Sequence, residues 1–384
     1  MLLTFDQGDV KRAATIVASL LNRSTTTLPV LANLLIETGE DECTFLGTDL
    51  DNLVRIRVPA KVEGGAGQRL TLPADKLAQL IGLMPAGQDV SIQDQGGQVR
   101  VFSGRNDYKL VTLPADDYPQ RPEEKPLSTL KMAQRDFQSL LDAVLYAVPQ
   151  KDHRRVLLGA LFEARDKTLR LTGTDGKKLS RMELPAESIE GLESIRTVVS
   201  GKLLGDIRKV LSDEGSVTIA VGDRQVAIRA GDVEFRATAI EGKYPDCDQV
   251  IPKEFTTQMG LNRDLFKMAA RRAGVVSDDK SKSIILNLEA GTCKFTSMAA
   301  DIGTFSGDVA VEYDGESMEI AFNYQLMIET LDSFEKPEIA MHIKNEHSPC
   351  VFKAKDEDNH LCVLMPIKLA EARPAAAGAG AEAY

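Results

Sequence analysis

Residues 169–179 read LRLTGTDGKKL, a short alternating apolar run that enters a Gly-Thr-Asp turn. The same turn begins at Gly47, 126 positions before Gly173. This period is longer than the roughly 20–50 residues of a solenoid repeat. It matches a whole domain of about 100–150 residues. The sequence therefore predicts three tandem copies of one domain, with the turn aspartate recurring at Asp49, Asp175 and Asp301.

In all three copies, apolar residues at helical spacing alternate with short strand-like runs. We therefore expect an α+β fold in which each copy packs two helices on antiparallel sheets. The copies are predicted to span 1–122, 123–248 and 249–369, followed by an Ala/Gly-rich tail, 370–384, without ordered structure. The predicted helices span 9–21, 72–84, 136–148, 201–211, 263–274 and 324–334.

Composition favours a cytoplasmic protein. The chain has 384 residues, and no apolar run approaches the ~18–20 residues of a membrane span. Its start has no basic segment before an apolar core, so we expect neither a signal peptide nor a membrane anchor. The five cysteines are odd in number and scattered, which favours free thiols in a reducing compartment. A net charge of −11 means that any nucleic-acid contact must rely on local positive charge.

Residues with catalytic or metal-binding chemistry are few. The repeated aspartates are either catalytic carboxylates or turn residues that bond their own backbone, and their equal place in every copy favours the turn. A zinc site is conceivable at His347, Cys350, His360 and Cys362. Strand spacing and the lack of counterparts in the other copies favour ordinary strand residues instead. We predict no catalytic residue, no metal and no cofactor.

Positive charge gathers on one predicted helix and on the loops after the first helix of each copy. Arg263, Lys267 and Arg271 recur at i, i+4 and i+8 and therefore share one face. Taken alone, each basic face is more often an ordinary solvated surface. Because basic loops recur at equivalent places in all three copies, the pattern favours contact with nucleic-acid phosphate. The predicted residues are Arg23, Lys151, Arg155, Lys202, Arg263, Lys267 and Arg271.

Several segments carry a family likeness: LPVLANLL (28–35), GTDL (47–50), TLPADDYP (112–119), TDG (174–176) and VLMPIKL (363–369). With the threefold repeat, they resemble the bacterial DNA polymerase sliding clamps, the beta subunits of DNA polymerase III. The resemblance covers residues 1–369. It implies a head-to-tail homodimeric ring of similar domains, with helices lining a hole around duplex DNA. It also implies a non-catalytic processivity factor that tethers polymerases.

The resemblance also implies partners and their sites. The partners are double-stranded DNA held without sequence preference, a clamp loader, and DNA polymerases and repair proteins that bind through short peptide motifs. The dimer interface maps to Tyr108, Leu110, Val275 and Val276. The peptide pocket maps to Arg154, Leu157, Thr174, Gly176, Lys178, Leu179, Pro245, Val250, Asn323, Val363, Met365, Pro366, Ile367, Lys368 and Leu369.

The chain departs from the family pattern at the pocket rim. Val156 stands where tyrosine is frequent, Lys178 where arginine is usual, and Gln249 where arginine is frequent. Lysine lacks the two-pronged donor geometry of arginine, so the family pattern does not fix the affinity or the partner preference of this rim. Two other classes stay open: an enzyme with an unrecognised site, and a protein-binding scaffold of the same fold that is not loaded on DNA.

Overall fold

The computed structural model describes residues 1–21, 28–120, 122–191 and 194–368. Within this described part lie six α-helices, two in each copy of the repeat. The order strand, helix, strands, helix, strands returns in every copy, so the predicted α+β class and the three tandem copies are confirmed. The exact limits of the copies stay a prediction, and the tail 370–384 lies outside the described residues.

The elements of each copy follow the same plan. The first copy holds β1 (Leu2–Asp6), α1 (Gln7–Leu21), β2 (Asn33–Thr38), β3 (Glu42–Thr48), β4 (Asn52–Pro59), β5 (Lys61–Glu63), β6 (Arg69–Pro73), α2 (Ala74–Gly82), β7 (Asp89–Asp94), β8 (Gln98–Ser103) and β9 (Asn106–Val111). The second holds β10 (Ser128–Ala133), α3 (Gln134–Val144), β11 (Gly159–Arg165), β12 (Thr168–Thr174), β13 (Lys178–Pro185), β14 (Ser188–Gly191), β15 (Ile195–Ser200), α4 (Gly201–Arg208), β16 (Ser216–Val221), β17 (Gln225–Ala230) and β18 (Val233–Thr238). The third holds β19 (Thr257–Asn262), α5 (Arg263–Gly274), β20 (Ser283–Glu289), β21 (Thr292–Ala299), β22 (Gly303–Ala310), β23 (Met318–Asn323), α6 (Tyr324–Asp332), β24 (Glu338–Ile343), β25 (Cys350–Ala354) and β26 (His360–Leu364).

The helix α5 has the predicted bounds, and the other helices differ by a few residues at their ends. Leu72 is the first residue of the predicted helix 72–84, but in the structure it lies in β6 and pairs with Leu34 of β2. Pairing with a neighbouring strand prevails there over the helical spacing of the sequence. The helix α3 ends at Val144, and Leu145–Ala147 continue as a 3₁₀ turn. Such tightening is common in the last turn of a helix, where carbonyls lack partners.

The chain folds into two compact units, and the second copy contributes strands to both. The first unit comprises Met1–Gln138, Glu163–Thr168 and Pro185–Glu241. Its nine-stranded sheet has the order β14-β10-β16-β17-β18-β4-β3-β2-β6, and its five-stranded sheet has the order β5-β1-β7-β8-β9. The core includes an edge-to-face contact between Phe5 and Phe45, whose ring centroids lie 5.6 Å apart.

The second unit comprises Ser139–Phe162, Leu169–Leu184 and the chain from Gly242 onward. One sheet runs in the order β11-β12-β13-β26-β25-β24-β19, and a four-stranded sheet has the order β22-β21-β20-β23. The antiparallel pairs β4–β18 in the first unit and β13–β26 in the second each join strands of consecutive copies. In each unit, strands of two consecutive copies therefore form one continuous antiparallel sheet.

The glycine of the repeated Gly-Thr-Asp turn is required by helix packing. A Cβ atom on Gly47 would lie 2.5 Å from Cγ1 of Val17 in α1. A Cβ atom on Gly173 would lie 2.9 Å from the carbonyl oxygen of Val144 at the end of α3. Both distances are shorter than any real contact, so the strand approaches the helix closely only because no side chain intervenes.

Candidate functional site

A small cavity of about 120 Å³ opens on the surface of the second unit. Most of the residues predicted for the peptide pocket line it, which brings together parts of the chain about 200 positions apart. Sequence reasoning missed three lining residues, Lys177, Asp246 and Cys247. Lys177 and Asp246 adjoin predicted residues, and Cys247 lies between the predicted Pro245 and Val250. The predicted residues that line the cavity are Arg154, Leu157, Thr174, Gly176, Lys178, Leu179, Pro245, Val250, Val363 and Met365.

The floor of the cavity is apolar and formed by the strand pair β13–β26. Leu179 lies directly opposite Val363 in the antiparallel register, and each side chain is 3% exposed. At the mouth, Val250 is 48% exposed and Met365 is 40% exposed. The backbone N–H of Met365 donates to the carbonyl oxygen of Lys177 over 2.9 Å, which fixes this end of the rim. An apolar floor with exposed apolar groups at its mouth suits the side chains of a peptide.

The turn beside this floor is held by Asp175. Its Oδ1 accepts hydrogen bonds from the backbone N–H groups of Lys177 and Lys178, at 2.8 and 2.9 Å. In the first copy, Oδ1 of Asp49 accepts in the same way from Asp51 and Asn52, at 3.1 and 2.7 Å. These contacts support the turn interpretation of the two aspartates rather than a catalytic one.

Arg154 is fixed at the edge of the cavity. Its guanidinium donates to both carboxylate oxygens of Asp152, at 3.0 and 2.9 Å, and to the carbonyl oxygen of Asp175 at 3.1 Å. Hydrogen bonds from the side chain and backbone of Arg154 hold the pKa of Asp152 well below its usual range. Gly176 lies beneath the guanidinium with φ +89°, a conformation in which glycine avoids strain.

Lys178 is a structural cation as much as a rim residue. Its side chain is 8% exposed and forms an ion pair with Glu329 of α6. Its Nζ lies 5.3 Å from the ring centroid of Tyr146, within range of a cation–π contact. The positive charge at this position is therefore already neutralised within the unit.

The remaining predicted pocket residues do not line this cavity. Asn323 caps α6 by accepting hydrogen bonds from Gln325 and Leu326 at 3.0 and 3.1 Å. Ile367 forms a bridge to Ala321, and its N–H donates to that carbonyl oxygen over 2.7 Å. Pro366 and Lys368 precede and follow this bridge, and Leu369 lies outside the described residues.

Behind the floor, β26 directs two polar side chains into the interior. Nε2 of His360 lies 3.3 Å from Sγ of Cys362 and 3.2 Å from Oγ of Ser180, and Ser180 donates to the carbonyl oxygen of Ala143 at 2.7 Å. His347, by contrast, has a side chain that is 73% exposed. Within the described ranges, no group of three or more His, Cys, Asp or Glu side chains could hold a metal ion. The geometry favours strand residues over a zinc site.

The three basic residues predicted to share one face of α5, Arg263, Lys267 and Arg271, differ in their contacts. Nη1 of Arg263 donates to the carbonyl oxygens of Phe334 and Glu335 at 2.5 and 2.9 Å, beyond the end of α6. Lys267 forms an ion pair with Asp332 and is 16% exposed. The exposed members of the predicted DNA-contact set are Arg271, Lys151, Arg155 and Lys202, whereas Arg23 lies outside the described residues.

The residues predicted for a dimer interface lie at accessible places. Tyr108 and Leu110 are half-buried on β9, which ends the five-stranded sheet of the first unit. Val275 follows α5 in the second unit and is 75% exposed, and Val276 beside it is half-buried. A terminal strand offers unpaired backbone groups to another chain. The assignment of these residues to an interface stays a prediction.

Three tandem copies of a two-helix domain with antiparallel sheets define a clamp-type protein. Family models of the DNA polymerase III beta subunit match along the chain: the N-terminal domain at residues 9–122, the central domain at 131–246 and the C-terminal domain at 248–368. The chain belongs to the DNA polymerase III beta subunit family.

Individual relatives agree over almost the whole length. The beta sliding clamp of Pseudomonas putida is 28% identical over 370 residues, covering 96% of this chain and 100% of the relative. The beta sliding clamp of Escherichia coli K12 is 27% identical over 344 residues, covering 89% and 93%. A crystal structure of a DnaN sliding clamp from Pseudomonas aeruginosa bound to griselimycin superposes with a TM-score of 0.91 at 27% identity, covering 96% and 99%. In the described part of this chain, no helix is both long and apolar enough to cross a membrane.

Proposed function

We propose that this chain is a DNA sliding clamp, a ring-shaped processivity factor that encircles duplex DNA and tethers polymerases to it. Membership of the beta subunit family across all three copies carries this proposal. A ring that is topologically linked to DNA needs only weak, sequence-independent contacts with phosphate, and such contacts allow sliding. The exposed Arg271, Lys151, Arg155 and Lys202 supply positive charge for them.

The clamp acts by binding, without catalysis, in the cytoplasm. Its partners are a clamp loader, which opens the ring, and polymerases and repair proteins, which dock short peptide motifs in the cavity of the second unit. The pairing of Leu179 with Val363 gives that cavity an apolar floor, and Met365 and Val250 at its mouth suit leucine- or phenylalanine-sized side chains.

The decisive experiment for the ring is retention on DNA of different topology. The chain is loaded by a bacterial clamp loader onto nicked circular DNA, and half of the sample is then linearised with a restriction enzyme. A topologically linked clamp stays on the circle during gel filtration and slides off the linear ends. Equal retention on both DNAs, or on neither, would contradict the proposal.

The pocket is tested with griselimycin as the probe, since a clamp that matches this chain closely was crystallised with it. Met365→Asp places a charge at the mouth of the cavity, where its desolvation by a ligand is unfavourable. We expect a loss of griselimycin affinity of about ten-fold or more, by calorimetry. Leu83→Asp is the matched control, because Leu83 is 82% exposed and belongs to the first unit. Equal affinity of the two variants would remove the pocket assignment.

A protein-binding scaffold that is not loaded on DNA is the second candidate. The internal contacts of Arg263 and Lys267 favour it, because two of the predicted phosphate contacts already have partners. Griselimycin binding without retention on circular DNA, in the presence of an active loader, would select this alternative.

A further inference from the structure

A second cavity, of about 170 Å³, lies on one face of the nine-stranded sheet in the first unit. Three arginines line it: Arg55 on β4, Arg57 on the same strand, and Arg229 on β17. The strand β18 lies between them, with Glu234 directly opposite both Arg55 and Arg229 in the antiparallel register. The arginines are therefore fixed by regular strand pairing rather than by a loop.

The two carboxylates on the cavity wall are already neutralised by arginines. Asp232 accepts two hydrogen bonds from Arg12 of α1, at 2.5 and 3.1 Å. Glu234 is 6% exposed and is paired with Arg229, whose Nε donates to it over 2.8 Å, and with Arg236. Neither carboxylate forms an ion pair with Arg55 or Arg57 within the described residues.

Arg55 and Arg57 retain donors that have no acceptor. Arg57 is exposed, and its side chain has no hydrogen-bond or ion-pair partner in the described part of the chain. Arg55 has one contact, from Nη1 to Glu123 at 3.2 Å, and its Nε is buried without an acceptor. Glu123 is itself shared with Arg236. Around the cavity, five arginines thus face three carboxylates, and two positive charges remain uncompensated in a chain whose net charge is −11.

We infer that this cavity is a binding site for the phosphate group of a small ligand. An excess of two positive charges matches a phosphate better than it matches a single carboxylate. The planar arginine fork pairs its N–H groups with phosphate oxygens in parallel. The volume is several times the ~30 Å³ of one water molecule, which is enough for a tetrahedral oxyanion.

A neighbouring cavity extends the site. It encloses about 250 Å³, shares Arg229 and Glu234 with the first, and continues over Ala220, Ala227 and Thr218. Its rim also carries Arg236, Glu123 and Glu124. A nucleotide could therefore place its phosphate among Arg55, Arg57 and Arg229, and its sugar and base over the alanine and threonine side chains, away from the carboxylates on the rim. Free inorganic phosphate would occupy the arginine-lined part alone. A nucleotide and inorganic phosphate would make the same phosphate contacts, but only the nucleotide would gain affinity from contacts in the larger cavity.

The test is calorimetric titration of the full-length chain, at low ionic strength, with inorganic phosphate and with thymidine 5′-monophosphate. We expect saturable binding of at least one of them, with the nucleotide tighter only if the larger cavity takes part. Arg57→Ala should weaken binding by about ten-fold, the usual effect of losing one charged hydrogen-bond donor. Arg57→Lys should fall between the parent and Arg57→Ala, because it keeps the charge but loses the fork.

Arg105→Ala is the matched control, since it removes an exposed positive charge in the same unit away from the cavity. Arg57 is exposed, so its removal should leave the thermal unfolding temperature unchanged. An equal loss in Arg57→Ala and Arg105→Ala would indicate only a general charge effect and would overturn the inference. The absence of saturable binding of both probes by the parent chain would overturn it too.

Discussion

Asp175 stabilises the turn beside the pocket through its own backbone, and its counterpart Asp49 does the same in the first copy. Asp301 holds the equivalent position in the third copy, where the Gly-Thr pair is replaced by Ala299 and Ala300. Its side chain is exposed and has no hydrogen bond within the described residues. The same turn position therefore has side-chain hydrogen bonds to the backbone in the first and second copies and lacks them in the third.

This pair predicts a difference in stability between two otherwise similar substitutions. Asp175→Ala removes the acceptor of two backbone N–H groups, and we expect it to lower the free energy of unfolding by about 1 kcal/mol. Asp301→Ala should change it by less than about 0.5 kcal/mol, as is usual for an exposed residue. Urea unfolding followed by circular dichroism measures both. Equal effects would show that the side-chain hydrogen bonds of Asp175 contribute nothing.

At the level of single residues, ten of the residues predicted for the pocket line one cavity, but the sequence did not predict the ion pairs of its charged groups. The resemblance predicted Leu179, Val363 and Met365 for one pocket, and all three line the same cavity because β13 pairs with β26 and Met365 directly follows β26. The ion pair of Lys178 with Glu329 could not be predicted, since it joins residues 151 positions apart through the packing of α6 on the sheet. Asn323 is also predicted for the pocket; it caps α6 and does not line the cavity, so its assignment stays a prediction.

The helix α5 shows what periodicity can and cannot establish. Arg263, Lys267 and Arg271 follow one another along the helix as their spacing predicts, and the helix has the predicted bounds. The spacing does not predict which other part of the protein this face of α5 contacts. Lys267 pairs with Asp332 at the end of α6, Arg263 contacts Phe334 just beyond it, and Arg271 is left exposed.

The helix α5 thus yields opposite predictions for two of its cations. Arg271→Ala should leave stability unchanged and reduce the slope of log affinity against log salt for DNA by about one. Lys267→Ala should leave that slope unchanged and lower the free energy of unfolding by about 1 kcal/mol, because its partly buried ion pair with Asp332 is lost. Fluorescence anisotropy with duplex DNA and urea unfolding separate the two effects. A salt slope altered by Lys267→Ala alone would reverse the assignment.

The repeat also explains why the two units differ at equivalent places. Leu179 in β13 faces Val363, whereas Leu53, 126 positions earlier in β4, faces Arg236. The arginine forms ion pairs with Glu123 and Glu234. The strand partner that completes the apolar floor in the second unit is Val363, whereas the equivalent partner in the first unit is the charged Arg236. Binding of an apolar peptide at the first position would require burying those charges.

At the scale of the whole molecule, the proposed ring predicts a dimer closed through apolar contact. Leu110→Asp combined with Val276→Asp should yield monomers, because each change places an unpaired charge at the contact. Sedimentation velocity of the double variant and of the parent measures the assembly state. The control is Leu83→Asp, which alters an exposed leucine outside the predicted interface. An unchanged sedimentation coefficient for the double variant would place the contact elsewhere.

Acid is predicted to destabilise the native chain through its paired carboxylates. Hydrogen bonds from Arg181 lower the pKa of Asp248, and those from Arg236 lower the pKa of Glu123. A carboxyl group whose folded pKa is depressed stabilises the fold above its unfolded pKa of about 4, and this contribution is lost as the pH falls through the folded value. The free energy of unfolding should therefore be nearly level from pH 7 to 5 and fall below about pH 4.

Urea unfolding at pH 7, 5 and 3.5 measures this dependence. In Asp248→Asn, the group that titrates is gone, so the decrease at low pH should be smaller than in the parent. Stability that rises on acidification would contradict the sign of these shifts.

All five cysteines, Cys43, Cys247, Cys293, Cys350 and Cys362, are buried. Burial raises the pKa of Cys43, Cys293 and Cys350 to about 12, so these thiols stay protonated at neutral pH. A maleimide dye requires an accessible thiolate, so these three sulfurs are protected from it, and Cys362 is 0% exposed. Cys247 differs, because it lines the cavity of the second unit. Once Cys247 is replaced by serine, a single cysteine introduced at exposed Leu83 can carry a fluorophore while the other four natural cysteines are kept, which makes single-molecule tracking on DNA possible.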